Sequence, residues 1–288
     1  MAAKIKYCAL NYFCIGMTSN LLNHQIDDIL ESVLEDASGD IFMVNPSHDA
    51  IEEFVSVATT FDGDLPAVQM LADERTLKDI MDDFIVASNA ADLISEGALA
   101  LRTLEQAPEN SLLITEDRVV AVVHAGDRVG GLVTDAEDFV ADTYATYEDR
   151  WADASEFNLR TPPITDVRET LADEISPDAE GDFTAILDSL ETARGDGDGL
   201  DEVTISLLVA AKNEALLYDI SKWGEDVGIA SKATFSRTKT KLEDMGLIDT
   251  EKVPIDVGRP RLRLKIGDDR LKEADNGQLA TVAQSILN

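Results

Sequence analysis

The sequence predicts a two-part chain, an α/β amino-terminal domain followed by a carboxy-terminal winged helix-turn-helix. Three observations predict it. Short apolar strands alternate with amphipathic helices from Ile41 to Ser95, as in α/β domains. From Leu99 to Val133 the period shortens to strands joined by tight polar turns. From Asp219 to Lys265, two helices meet across Gly228 and are followed by two alternating strands around a Pro- and Gly-rich tip.

The elements follow in order. Thr18 to Glu35 predicts a helix with Leu22, Ile26, Ile29, Leu30, Val33 and Leu34 inward. Ile41 to Val44 reads as a strand, and Asn45-Pro46-Ser47-His48 opens a helix through Ile51, Phe54, Val55 and Ala58. A strand from Pro66 to Leu71 precedes helical Asp73 to Ser95. Leu99 to Leu104, Leu112 to Thr115, Val119 to His124 and Val129 to Val133 read as strands, with hairpins at Glu116-Asp117 and Gly126-Asp127. Thr134 to Trp151 forms a helix whose aromatic face (Phe139, Tyr144, Tyr147, Trp151) predicts a packing seam. Thr161-Pro162-Pro163 marks a boundary. Helices near 165–175 and 178–193 lead to the Gly195–Gly199 break, and the helix Asp201 to Asn213 opens the last domain. The tail from Asp268 to Leu287 is also helical, placed to pack on the wing or on a partner subunit.

The expected organisation is therefore an extension at 1–16, a sensor or effector domain at 17–160, a helical linker at 161–199, and the winged domain with its terminal helix at 200–288. Cys8 and Cys14, the only cysteines, precede Met17, beyond which the acidic, patterned sequence begins, so residues 1–16 are expected to reflect an upstream start codon or a loosely attached extension. Beyond it there is no disulfide, thiol nucleophile or thiolate metal site, which favours an intracellular, cytoplasmic protein.

Ser231 to Met245 reads as a DNA-recognition helix. Phe235, Thr238, Leu242 and Met245 form its inward stripe. Ala233, Ser236, Arg237 and Thr240 occupy the opposite face, with Lys232, Lys239 and Lys241 beside them. Small polar groups are thus placed for base edges and cations for phosphates. Ser231 is the expected N-cap and Gly246 the expected stop. Arg261-Leu-Arg-Leu-Lys-Ile266 alternates cations with aliphatics as a wing strand, and Arg259 and Arg261 are its candidate DNA contacts.

Charge agrees when counted locally. Residues 231 to 265 hold nine Lys/Arg and five Asp/Glu, a net of +4 within a total of −33, so the remainder carries −37. A basic island in an acidic chain implies a polyanion partner, double-stranded DNA. The 57 acids interrupt well-patterned helices instead of gathering in a tail, which points to a halophilic surface. No apolar run approaches the ~20 residues needed to span a bilayer.

Other chemistry is sparse. Asn45, Ser47 and His48 sit where a strand opens a helix, a position able to hold phosphate, although Ser47 serves equally as an ordinary cap. Arg75, Arg102, Arg118 and Arg128 stand out among scarce bases, and Arg102 and Arg118 are taken as candidate effector contacts, against the alternative of surface pairing with acids. Asp196, Asp198 and Asp201 fail the calcium-loop pattern, because Leu200 takes its fifth position. His24, His48 and His124 are too dispersed for a metal site. No nucleophile triad or glycine-rich phosphate loop appears, so neither catalysis, cofactor nor metal is expected.

Through the block Ser231 to Met245, the wing Val257-Gly-Arg-Pro-Arg261 and the opening from Met17, the chain resembles the haloarchaeal TbsP transcriptional regulators, akin in logic to TrmB-type regulators of sugar metabolism. The strands ending in Gly130-Gly-Leu-Val-Thr-Asp135 and the helix to Trp151 resemble ligand-sensing domains with a phospholipase-D-like fold. The His-x-Lys-x4-Asp motif of the hydrolases is missing, so that likeness implies a non-catalytic sensor. The TbsP resemblance implies an archaeal regulator of central carbon genes that responds to a sugar or sugar phosphate. Helix-turn-helix habit adds a homodimer on symmetric half-sites. The rival expectation is a winged-helix adaptor that binds protein, not DNA.

Overall fold

The computed structural model describes residues 20–106, 108–126, 128–194, 200–254, 260–274 and 276–287. An eight-stranded mixed sheet forms the first half, in the order β1-β7-β6-β5-β2-β3-β4-β8. Its strands are β1 (Leu21–His24), β2 (Ile41–Val44), β3 (Val68–Ala72), β4 (Leu99–Thr103), β5 (Ser111–Ile114), β6 (Val119–Ala125), β7 (Arg128–Thr134) and β8 (Ser155–Glu156). β2, β3 and β4 are parallel, while β5, β6 and β7 form the expected antiparallel meander.

Alternation along β2 assigns the two faces of the sheet. Ile41 and Met43 pack with α1 (Ile26–Asp36), α2 (His48–Thr60), α3 (Glu74–Ile80) and α4 (Phe84–Ser95). Phe42 and Val44 face the other way, onto Val140 and Tyr147 of α5 (Glu137–Asp153). The aromatic seam forms around Phe42, whose ring lies edge-on to Tyr144 at 5.2 Å and Trp151 at 6.3 Å.

Three expectations for this half are corrected. The helix from Thr18 starts only at Ile26, because Leu21 and Leu22 pair with Gly131 and Gly130 of β7. A Cβ at Gly131 would lie 2.9 Å from Val120 and 3.3 Å from Leu21, so the glycine is what admits this edge strand. Leu22 is then 54% exposed instead of inward, and Phe139 of the aromatic face is 56% exposed. The single helix expected from Asp73 to Ser95 is broken in two. Asp83 caps the second piece by accepting from Ile85 and Val86 N–H, and it also accepts from Ala193 N–H and Arg194 Nε.

The second half contains α6 (Ile164–Glu174), α7 (Pro177–Asp188), α8 (Glu202–Lys212), α9 (Leu217–Val227), α10 (Lys232–Asp244), β9 (Ile248–Val253), β10 (Arg261–Ile266), α11 (Asp269–Glu273) and α12 (Asn276–Leu287). α6 and α7, expected as a linker, share one core with α8, α9 and α10 through Val167, Leu171, Phe183 and Ile186. Trp223 is fully buried there and donates its indole N–H to Thr170 Oγ1 at 2.9 Å, which ties α9 to α6. The tail returns as expected, but α12 packs on α7, with Leu279, Ala280 and Ala283 buried, while the short α11 packs on β10. The two halves meet where Phe84 joins this core, its ring 6.4 Å from Phe183.

Candidate nucleic-acid interface

α9 and α10 form the helix pair of a winged helix-turn-helix, and local chemistry fixes both ends of the connection. Gly228 takes the left-handed conformation (φ 95°), which lets Ile229 N–H return to Gly224 C=O at 2.8 Å and closes α9. Ser231 then caps α10 by accepting from Thr234 N–H at 3.2 Å. At the far end Gly246 (φ 76°) completes a Schellman motif, with Leu247 N–H on Leu242 C=O and Gly246 N–H on Glu243 C=O.

The crossing is close because Gly224 has no side chain. A Cβ there would meet the Phe235 ring at 2.3 Å. Phe235 and Leu242 are the buried side chains of α10, each worth roughly 1.5–3 kcal/mol of transfer free energy. Thr238 is half-buried, and Met245, expected on the same stripe, is 36% exposed at the C-cap.

Opposite that face, Ala233, Ser236, Arg237, Thr240 and Lys241 are exposed together. Arg237 has only a long contact to Thr234 Oγ1 at 3.4 Å, and neither Arg237 nor Lys241 lies within ion-pair distance of an acid among the described residues. The flanking cations differ. Lys232 is paired with Glu225, and Lys239 with Glu243 at 2.6 Å. Lys239 is turned against the body of the domain, its side chain only 11% exposed. Burial opposes ionisation of Glu243, but hydrogen bonds from Lys239 and Thr250 overrule it and hold its carboxyl below the usual range.

The wing pairs β9 with β10 from Ile248↔Ile266 to Val253↔Arg261, and Leu216 adds an isolated bridge to Arg263. Arg261 folds back onto α9, 3.2 Å from Asp219 and stacked over Tyr218 at 4.4 Å. Lys265 is held by Glu251 at 2.7 Å. Arg259 lies outside the described residues. Of the cations chosen from sequence, Arg237 and Lys241 thus stand open, whereas Lys232, Lys239 and Arg261 are each shared with a carboxylate.

The effector candidates do not converge. Ser47 caps α2, accepting from Ala50 N–H at 3.2 Å. His48 is half-exposed, 3.4 Å from Asp79. Asn45, left-handed at φ 47°, donates Nδ2–H to Pro108 C=O at 2.8 Å. Arg102 donates to Trp151 C=O at 2.5 Å and lies over the Trp151 ring at 4.7 Å. Arg118 pairs with Asp36 at 3.0 Å, and the register of β5 on β2 puts it at the end of the sheet remote from Asn45. Among the described residues no cluster of three or more His, Cys, Asp or Glu is placed to hold a metal, and no helix is long and apolar enough to cross a membrane.

What residue-by-residue reading missed is an open cleft of about 1310 Å³ beyond the carboxyl ends of β3 and β4, the position where open α/β sheets bind ligands. Pro108, which Asn45 holds, and Glu156, which lies 3.7 Å from Arg102, line it. The parallel run β2-β3-β4 was the available signal.

Comparison with protein families matches residues 18–162 to the model described as Transcriptional regulator TbsP-like, N-terminal, and residues 163–284 to Transcriptional regulator TbsP-like, C-terminal HTH domain. The chain belongs to the TbsP-like family of transcriptional regulators. No curated protein matches it. Among solved structures, TrmBL2, described as an archaeal chromatin protein with a novel mode of DNA binding, is 14% identical with a TM-score of 0.36, covering 51% of this chain. This chain in turn spans only 57% of that one. NucT from Helicobacter pylori is also 14% identical, with a TM-score of 0.31, over 48% of this chain and 98% of its own. Both likenesses are too slight to carry an argument. The family boundary falls between Pro162 and Pro163, just before α6, so the TbsP-like C-terminal domain takes in the two helices that share its core.

Proposed function

We propose that this TbsP-like regulator binds duplex operator DNA through the exposed face of α10, as a homodimer, and controls central carbon metabolism genes in response to a small metabolite. One observation carries the DNA interface. Ala233, Ser236, Arg237, Thr240 and Lys241 share an exposed face of a helix whose other face is pinned by Phe235 and Leu242. Small side chains allow close approach to base edges, and Arg237 stands among them as the free guanidinium suited to a guanine edge. Lys232 and Arg261 flank it as candidate phosphate contacts, with Ser231 at the helix start; Arg259 is a candidate from the sequence alone, and Lys239, held against the domain by Glu243, would have to turn out to join them.

The metabolic target, the sugar or sugar-phosphate signal, the haloarchaeal, salt-rich cytoplasmic setting and the dimer rest on the family resemblance, the acidic composition and helix-turn-helix symmetry. A ligand that favours one spacing of paired winged domains would shift operator affinity by its differential affinity for the two states.

The test is genome-wide DNA occupancy with and without a sugar carbon source, comparing wild type with Arg237→Ala. We expect discrete peaks that respond to sugar, with Arg237→Ala weakening operator binding by ~1–3 kcal/mol and relaxing specificity. Equal weakening on operator and random DNA would make Arg237 a phosphate contact. Absence of wild-type peaks under both conditions would favour the protein-binding adaptor.

A further inference from the structure

The cleft beyond β3 and β4 has two features that its residue types alone do not convey. Its cations differ in how they are used. Lys78 is neutralised by Glu74 at 2.6 Å. Arg150 lies over the Tyr147 ring at 5.0 Å, and among the described residues neither Arg150 nor Arg160 has a carboxylate within 4.0 Å. In a chain with 57 acids and 24 bases, these two guanidinium groups line one cleft and are available to a bidentate anion, although the lining also carries acids. Glu105, Asp153 and Asn158 line the same space and supply hydrogen-bond acceptors.

The second feature is position. Phe157 to Thr161 forms a wall of the cleft and is the stretch that leads to Pro162 and α6. Arg160 and Thr161 also line a smaller cavity of about 180 Å³, together with Asp82, Glu202, Gly228 and Ile229. Gly228 and Ile229 are the turn that orients α10 against α9. One short wall therefore separates the sensor cleft from the turn of the DNA-reading helix pair.

We propose that the large cleft binds a small hydroxylated anion, a phosphate- or carboxylate-bearing polyol. Arg150 and Arg160 take the anionic group while Glu105 and Asp153 accept from hydroxyls, and Arg160 passes occupancy to the Gly228 turn. This deepens the metabolite-responsive reading and rests on it. Arg160 shares the smaller cavity with Glu202, whose carboxyl is pushed above the usual range by burial and then by Asp201, Asp82 and Asp83. Because Arg160 lines both cavities, drawing it toward an anion in the large one changes the wall of the small one, which biases that junction without any new contact to the DNA.

The full chain is titrated calorimetrically at constant KCl with glucose 6-phosphate, gluconate, inorganic phosphate and glucose. Wild type is compared with Arg150→Ala, Arg160→Ala, Arg160→Lys and the distant Arg128→Ala. We expect at least one hydroxylated anion to bind more tightly than glucose or inorganic phosphate. Binding should weaken roughly tenfold or more in either alanine variant, as for loss of one charge-assisted pair, and be unchanged in Arg128→Ala. In a parallel DNA titration, Arg160→Ala should keep DNA affinity and lose its response to the anion, with partial recovery in Arg160→Lys. No binding by any anion, or binding indifferent to both arginines, overturns the proposal. Wild-type failure to bind DNA, with anion binding intact and dependent on Arg150 and Arg160, sinks the regulatory reading and leaves the cleft standing.

Discussion

Gly224 decides how closely the two helices of the helix-turn-helix pair approach. A Gly→Ala change inside a helix ordinarily stabilises by up to about 1 kcal/mol, since alanine has the higher helix propensity. At Gly224 the added carbon would lie 2.3 Å from a ring that is fully buried and cannot swing away. Gly224→Ala is therefore expected to cost about 1–3 kcal/mol through overpacking. Gly181, exposed on α7 with nothing within 4 Å of an added Cβ, is the matched control, and Gly181→Ala should raise the melting temperature. Denaturant titration of both variants checks the pair of signs. Stabilisation at both positions would mean that α9 and α10 are not held at this distance. Sequence placed Gly228 and Gly246 correctly, because a glycine at a helix end announces itself locally. Gly224, in mid-helix, is explained only by Phe235, eleven residues on across the turn.

At the scale of elements, the helix-turn-helix was the legible part of the chain. Its caps, stop and inward stripe are all encoded within a few residues of where they act. β1 was not legible, because its four residues are held by pairing with β7 more than a hundred positions later, and one adjacent pair of leucines among polar residues carries no period of its own. Pairing of interface cations is equally non-local. Glu225 on α9 neutralises Lys232 on α10, and the pair raises the Lys232 pKa while lowering that of Glu225. Both groups are exposed, so the pair should matter less for stability than for DNA binding. Lys232 must leave Glu225 to neutralise a phosphate, and the freed carboxylate then faces the same polyanion. Glu225→Gln should tighten DNA binding at low KCl and steepen the fall of affinity with salt by roughly one phosphate contact, a slope of about −0.9 in log–log form. Fluorescence anisotropy across a KCl series measures it. An unchanged slope would remove Lys232 from the phosphate-contacting set.

At the scale of the molecule, the junction between the halves is built on acids, and acidity acts on it in two opposite ways. Asp83 is only 1% exposed and accepts from Ala193 N–H and Arg194 of the segment that follows α7, while Arg194 also reaches Glu52 on α2 at 3.5 Å. Removing that carboxylate strands a buried N–H and half-frees a guanidinium. Asp83→Ala should therefore cost roughly 2–4 kcal/mol in denaturant unfolding, well beyond the loss of a helix cap alone. Glu202, across the same junction, has the reverse sign. Burial raises its pKa, so the folded chain holds that proton more tightly than the unfolded chain does. Its contribution is most favourable below the unfolded pKa and is lost as pH rises through the folded one. The exposed carboxylates paired in the winged domain run oppositely. A bidentate contact with Arg270 and its backbone N–H lower the Asp268 pKa to about 2, so its stabilisation is present at neutral pH and lost as pH falls toward that value. Glu202→Gln should then raise the melting temperature at neutral pH, with the gain shrinking to nothing as pH falls below the raised pKa of Glu202, where wild type already carries the proton. Melting curves across that range decide it. A gain of equal size at every pH would assign the effect to packing at the start of α8 and leave the junction without a charge to be controlled.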